Sequence, residues 1–293
     1  MDQAQNLRRH VAEYRKRKKK NKRDIRVITV ASGKGGVGKT NFSVNLAIAL
    51  KEQGNDVVVL DADLGLANVD VIIGVIAKSN LYDVIFSNKG INDILINGPG
   101  GIKVVPGGSG IESLAELTES QRKILSDKFS DLKDTDILIV DTGAGISKNI
   151  LGFIAVSDEV IVVTTPEPTA ITDAYSLMKV TLSHLPKTRI NLVVNRAMTP
   201  KQGEVTYQRL SRAVKNFLNK DVNYLGYVID DLKVRAAVMD QIPFKVAYPS
   251  CDASKCLNTI AASLLGNEVE TKSTGGGIKG FINKISYLFS KLD

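Results

Sequence analysis

Cysteine and histidine are scarce, two of each in 293 residues. Cys251 and Cys256 have four residues between them and no Cys or His cluster beside them. Such a pair is not expected to form a disulfide or a metal site, and both read as ordinary thiols. Long apolar runs are missing as well. No segment approaches the roughly 20 residues that a membrane-spanning helix needs, and the basic start lacks the apolar stretch of a secretory signal. The chain is therefore expected in the cytosol.

Excess charge is missing too, once the N-terminal tail is set aside. The formal net charge is +8, but residues 1–26 hold 11 of the 39 Lys/Arg and 3 of the 31 Asp/Glu, leaving 28 of each sign in residues 27–293. A basic tail is not a basic groove, so a nucleic-acid partner is not expected. The run Arg15-Lys16-Arg17-Lys18-Lys19-Lys20 suits a solvated linker first, and otherwise anionic lipid, RNA or an acidic protein face.

What is present begins with alternation. At 293 residues and 43% apolar content, the chain can bury one large core or two small ones, and it reads as one. Strand-like runs at Val27–Ala31, Val57–Asp61, Ile102–Val105, Ile137–Asp141, Glu159–Thr164, Ile190–Asn195 and Tyr224–Ile229 alternate with helical stretches, without internal repeat. This predicts an α/β fold, a doubly wound, mostly parallel sheet of about seven to eight strands flanked by helices. The segment Thr165-Pro166-Glu167-Pro168-Thr169 reads as a strand-to-helix connection and is assigned no chemistry.

Residues 33–40 read Gly-Lys-Gly-Gly-Val-Gly-Lys-Thr. Gly33, Gly38, Lys39 and Thr40 fill the pattern G-x-x-x-x-G-K-[ST], with an apolar strand-like run before it and a helical run, Asn41 to Leu50, after it. Successive glycines let backbone N–H groups converge on phosphates, and the helix N-terminus adds partial positive charge. A nucleoside triphosphate is thus expected on Gly33, Lys34, Gly35, Gly36, Val37, Gly38, Lys39 and Thr40. Lys39 would reach the β/γ-phosphates and Thr40 would hold Mg²⁺. Lys34 has no place in that scheme. Asp61, Asp63 and Asp141 end or follow β-branched runs, which brings carboxylates to the ligand-binding edge of an open α/β sheet.

The stretch Lys34-Gly35-Gly36-Val37-Gly38-Lys39-Thr40 resembles the deviant phosphate loop of the MinD/ParA/nitrogenase-iron-protein ATPases. Val57 to Asn68 is similar to that family's switch I strand and loop, and Ile137 to Gly145 to its Walker B and switch II. The likeness covers about residues 25–266. It implies a Mg²⁺-dependent ATPase activated by dimerisation, in which Lys34 crosses to the partner's nucleotide. It further implies that Asp63 serves the attacking water, that Asp141 holds Mg²⁺ through its water shell, and that Asp61 lies one shell further out. Asn195 resembles the family's adenine-recognising asparagine, though a turn asparagine after a strand would look the same. No Asn/Thr-Lys-x-Asp guanine motif is seen, so ATP/ADP is expected rather than GTP.

Both ends carry separate devices. Asn267 to Gly277 is polar and ends in three glycines, reading as a flexible tether. Beyond it Ile278, Phe281, Ile282, Ile285, Leu288, Phe289 and Leu292 fall on one helical stripe, with lysines on the other faces. Membrane binding and docking on the core are both open to such a stripe. The tether favours reversible attachment to an anionic membrane surface, and the stripe resembles the membrane-targeting helix of MinD-like proteins. At the other end, Asp2, Gln3, Ala4, Leu7 and Arg8 match the DQAxxLR element of the FlhG (YlxH/FleN) family.

That resemblance implies a regulator of flagellar number and placement that dimerises with ATP and stimulates the FlhF GTPase. It also implies contact with the C-ring components FliM and FliN(FliY), and a cytoplasmic location reversibly peripheral on the inner face of the cell membrane. The expected organisation is a basic extension over 1–23, an ATPase domain over 24–266, a linker over 267–277 and an amphipathic helix over 278–293. A division-site MinD or a DNA-partitioning ParA remains the alternative.

Overall fold

The structure, a computed structural model, describes residues 25–63, 69–109, 111, 117–132, 134–266 and 280–284. Eight strands form one sheet: β1 (Arg26–Ser32), β2 (Val57–Ala62), β3 (Ile96–Asn97), β4 (Lys103–Val105), β5 (Ile137–Ala144), β6 (Glu159–Thr164), β7 (Ile190–Ala197) and β8 (Asn223–Ile229). Their order is β3-β4-β2-β5-β1-β6-β7-β8. Every neighbouring pair is parallel except β3 with β4. The sequence runs for the other seven strands are borne out. Two-residue β3 is an antiparallel edge too short to leave any periodicity.

The central strands are apolar on both faces because helices cover both. All six residues of β2 and of β6 are buried. Alternate residues then belong to opposite layers. Ile28, Val30, Val59 and Ile139 join one cluster, and Val27, Val58, Leu60 and Leu138 join another.

The first layer centres on helix α1 (Lys39–Glu52), buried at ten positions from Lys39 to Leu50. A helix apolar nearly all round must be enclosed. It packs on β1, β2 and β5 and, at its side, against the helix at Asp252–Gly266, which itself lies on β8. The other face carries short helices at Leu81–Phe86 and Ile91–Ile94, a longer one at Glu119–Phe129, and the helical residues 280–284. Phe281 is 0% exposed and Ile282 2%, within the cluster that holds Leu60, Val140 and Phe129. These two members of the C-terminal stripe are thus docked on the core.

The connections give the sheet its site. From β1 the chain crosses to β2 on one side, whereas from β5 it passes over β1 to β6 on the other. The crevice outside the carboxyl ends of β1 and β5 is the point where the winding reverses, the place such sheets bind ligands. Register puts Asp61 directly beside Asp141, and Asp141 beside Val30, at that edge.

Candidate nucleotide site

The loop from Gly33 to Gly38 joins β1 to α1. Gly38 is the residue before the helix, with φ of 87°, and a Cβ there would stand 2.5 Å from the Asn195 amide nitrogen. At Gly33 a Cβ would fall 2.1 Å from the Asp173 carbonyl oxygen. Both glycines are required, the first by backbone conformation and close approach, the second by close approach alone.

Lys39 and Asp141 meet inside this frame. The Lys39 Nζ donates to Asp141 Oδ1 at 2.9 Å, with side-chain exposures of 7% and 0%. Ser43 Oγ donates to the same Oδ1 at 2.7 Å. Asp141 Oδ2 is buried without a hydrogen-bond partner among the described residues. A buried carboxylate oxygen left unmatched is costly unless something else fills its lone pairs. Thr40 Oγ1 lies 3.4 Å from Lys39 Nζ. Among the described residues no group of three or more His, Cys, Asp or Glu could hold a metal. Mg²⁺ needs none, because it keeps several waters and takes phosphate oxygens beside one or two protein ligands. An orphaned carboxylate oxygen and a nearby threonine hydroxyl fit that requirement.

Asp61 is 2% exposed. Its Oδ1 accepts from the Asp63 N–H at 3.3 Å and its Oδ2 from the Val69 N–H at 3.2 Å. It therefore ties together the two flanks of segment 64–68, which lies outside the described residues. Asp63 stands over the end of β5: a Cβ on Gly143 would be 3.2 Å from its Oδ1.

Lys34 turns away from this cradle. Its Nζ donates to Thr169 Oγ1 at 2.8 Å and lies 3.5 Å from Glu167 Oε2, with 40% of the side chain exposed. Thr169 is in the first turn of the helix Pro168–His184. The connection that the sequence reading left without chemistry is thus where this cation rests.

Asn195, near the end of β7, donates its amide to the Val37 carbonyl oxygen at 2.8 Å. Beside it opens a cavity of about 380 Å³, lined among others by Gly38, Phe42, Arg196, Asp230 and Arg235. Arg196 has a positive φ of 55°, uncommon for a residue with a side chain. Arg235 pairs with Asp230 at 2.9 Å. Next in sequence, Asp231 caps the helix Leu232–Met239 that walls the cavity. Burial raises the Asp231 carboxyl, but the N–H groups of Lys233 and Ala253 outweigh it and hold the group below the ordinary range.

Lys34, Lys39, Thr40, Asp61, Asp63, Asp141 and Asn195 therefore gather at one sheet edge. Sequence reasoning missed Ser43, Arg196, Asp230, Arg235, Glu167 and Thr169. For Ser43 a signal existed: it lies four residues after Lys39, on the same helix face. Asp2, Gln3, Ala4, Leu7 and Arg8 lie outside the described residues, as do Ile278, Ile285, Leu288, Phe289 and Leu292.

Known proteins resemble this chain in sequence and in fold. A family model described as an AAA domain matches residues 25–194. The antiactivator FleN of Pseudomonas aeruginosa is 42% identical over 238 residues, 81% of this chain and 85% of that protein. The flagellum site-determining protein YlxH of Helicobacter pylori is 35% identical over 90% of this chain and 91% of its own length. Among solved structures, the MinC:MinD cell division complex of Aquifex aeolicus superposes with a TM-score of 0.66 at 23% identity, covering 84% of this chain and 98% of that one. MinD of Pyrococcus horikoshii, solved with Mg-ADP, gives 0.64 at 24% identity over 82% and 96%. With FleN and YlxH both above 30% identity along most of their length, and the MinD fold beneath them, the chain belongs to the FlhG (FleN/YlxH) family of MinD/ParA-type ATPases.

Proposed function

We propose that this protein is a Mg²⁺-dependent ATPase that dimerises on ATP, attaches to the inner face of the cell membrane as a dimer, and sets the number and placement of flagella. The observation that carries the ATPase reading is the division of labour between two lysines of one loop. Lys39 meets Asp141 inside the cradle, while Lys34 reaches outward to Thr169, half exposed. A cation that its own loop does not use is suited to a phosphate on a second copy. The flagellar assignment rests on the likeness to YlxH, whose name states it for that protein, and on the match of residues 2–8 to the DQAxxLR element.

In this reading the chain's own groups do little covalent work. Phosphoryl transfer asks for positioning, neutralised charge and an oriented water. The loop N–H groups and Lys39 hold the β/γ-phosphates. Thr40 and Asp141 would hold Mg²⁺, Asp141 through a water, and the ion would supply positive charge to the phosphates. Asp63 orients and accepts a proton from the attacking water, and Asp61 holds the backbone of Asp63 and Val69. Asn195 and the cavity beside it take the adenine. The partner's Lys34 would supply further positive charge to the transferring group.

Residues 2–8 would act on a different protein, the FlhF GTPase, with Gln3 orienting its water; contact with FliM and FliN(FliY) belongs to the same reading. The test uses one preparation. Wild type should accelerate GTP hydrolysis by FlhF, and Gln3→Ala should abolish the stimulation while leaving this protein's own ATPase and liposome binding unchanged. If FlhF turns over equally with wild type, Gln3→Ala and a variant lacking residues 1–23, the flagellar GTPase reading fails and a division-site role replaces it. Retention on DNA would instead favour a partitioning role, against which the charge balance of residues 27–293 argues.

A further inference from the structure

The Asp141 carboxylate is the buried centre of the site, and its two oxygens are treated differently. Oδ1 accepts from both Lys39 Nζ and Ser43 Oγ, whereas Oδ2 accepts from nothing among the described residues. The two donors also differ in permanence. Lys39 is the phosphate-binding lysine, so a nucleotide in the loop draws its ammonium toward the β/γ-phosphates. Ser43 carries no charge and is 0% exposed on the enclosed helix α1, one turn beyond Lys39. It stays where it is.

Ser43 has a second contact, 3.0 Å to the Lys39 carbonyl oxygen, the ordinary back-bond of a helical serine. A hydroxyl has one proton to give. The contact to the carboxylate is shorter, at 2.7 Å, and charge-assisted, so it takes that proton.

We infer that Ser43 is a positioning residue for the metal: by holding Oδ1 of Asp141 it fixes the carboxylate rotamer, so that Oδ2 is the oxygen offered to a Mg²⁺-bound water. This rests on the proposed role of Asp141 toward Mg²⁺. Groups that hydrogen-bond a metal-binding carboxylate orient it, and their loss typically weakens metal affinity by about 10–100-fold.

The experiment is a MgCl₂ titration of the full chain with a fluorescent N-methylanthraniloyl-ATP, reading bound nucleotide rather than turnover. Ser43→Ala should raise the half-saturating Mg²⁺ concentration by about tenfold, while the affinity for the nucleotide in EDTA stays at the wild-type value. Ser43→Thr, which keeps the hydroxyl, should restore most of the wild-type Mg²⁺ dependence. If Ser43→Ala proves unstable by thermal melting, Ser43→Cys, similar in shape but a weak donor, should show the same shift.

An unmoved Mg²⁺ midpoint in Ser43→Ala overturns the inference. So does an equal loss of nucleotide affinity with and without Mg²⁺, which would make Ser43 a packing residue of the loop. Asp141→Asn separates the levels. If it shifts the midpoint and Ser43→Ala does not, only the role of Ser43 falls; if Asp141→Asn is also unmoved, the metal reading of Asp141 fails and takes Ser43 with it.

Discussion

Two residues of the phosphate loop and its surroundings make opposite predictions. Lys34 rests on Thr169 and Glu167, outside the group that centres on Asp141. Removing its charge should therefore spare the single-copy site and remove what a second copy receives. Lys34→Ala is expected to keep most ATP binding and to lose dimer formation and turnover, measured by sedimentation with a nonhydrolysable ATP analogue; an intact dimer would refute the cross-subunit role. Asp63 should behave in the reverse sense. Its carboxylate stands near Gly143 at the end of β5, and its proposed task is the water, not assembly. Asp63→Ala should leave a long-lived ATP dimer that does not hydrolyse, and wild-type turnover in that variant would remove Asp63 from the mechanism.

The residue scale also separates what the sequence can say from what it cannot. The glycines, Lys39 and Thr40 were legible because a phosphate cradle is local: their spacing is itself the geometry. Ser43 and Asp141 are 98 positions apart, and only the pairing of β1 with β5 and the packing of α1 on that sheet bring them together. Thr169 was hidden for a similar reason, since its partner Lys34 is 135 residues away. Asp61 looked like a distant member of a metal site; the structure adds that both its oxygens serve backbone N–H groups flanking the segment after Asp63.

At the scale of elements, the strands were readable because a parallel strand covered on both faces is a continuous apolar run. The C-terminal stripe was not decidable in the same way, because an amphipathic helix presents the same pattern to a protein core and to a bilayer. Phe281 and Ile282 are buried on the core in this structure, and membrane attachment would require them to leave it. One substitution reads both states. Phe281→Glu puts an unpaired charge at a fully buried position, so it should lower the melting temperature of the nucleotide-free protein. It should also stop the ATP-bound protein from pelleting with anionic vesicles. Vesicle binding at the wild-type level would show that the stripe is not the anchor, and an unchanged melting temperature would show that its docking contributes nothing.

For the whole molecule the expectation is that attachment follows nucleotide state. One short interfacial helix binds marginally, whereas the second helix of a dimer inserts at the high effective concentration set by the first. ATP should recruit the protein to liposomes of anionic lipid and ADP should not, as measured by flotation; equal recruitment by both would detach membrane binding from assembly. The basic run at Arg15–Lys20, which lies outside the described residues, would add a salt-sensitive attraction to such a surface.

The seat of Phe281 and Ile282 bears on how a cell could count with this protein. Withdrawing a fully buried side chain of this kind costs about 1.5–3 kcal/mol, so under the proposed function each copy would hold its anchor back unless a pair forms. Surface occupancy would then rise faster than in proportion to the number of copies, and a modest change in abundance would become a threshold, which is the response needed where the outcome must be a small whole number.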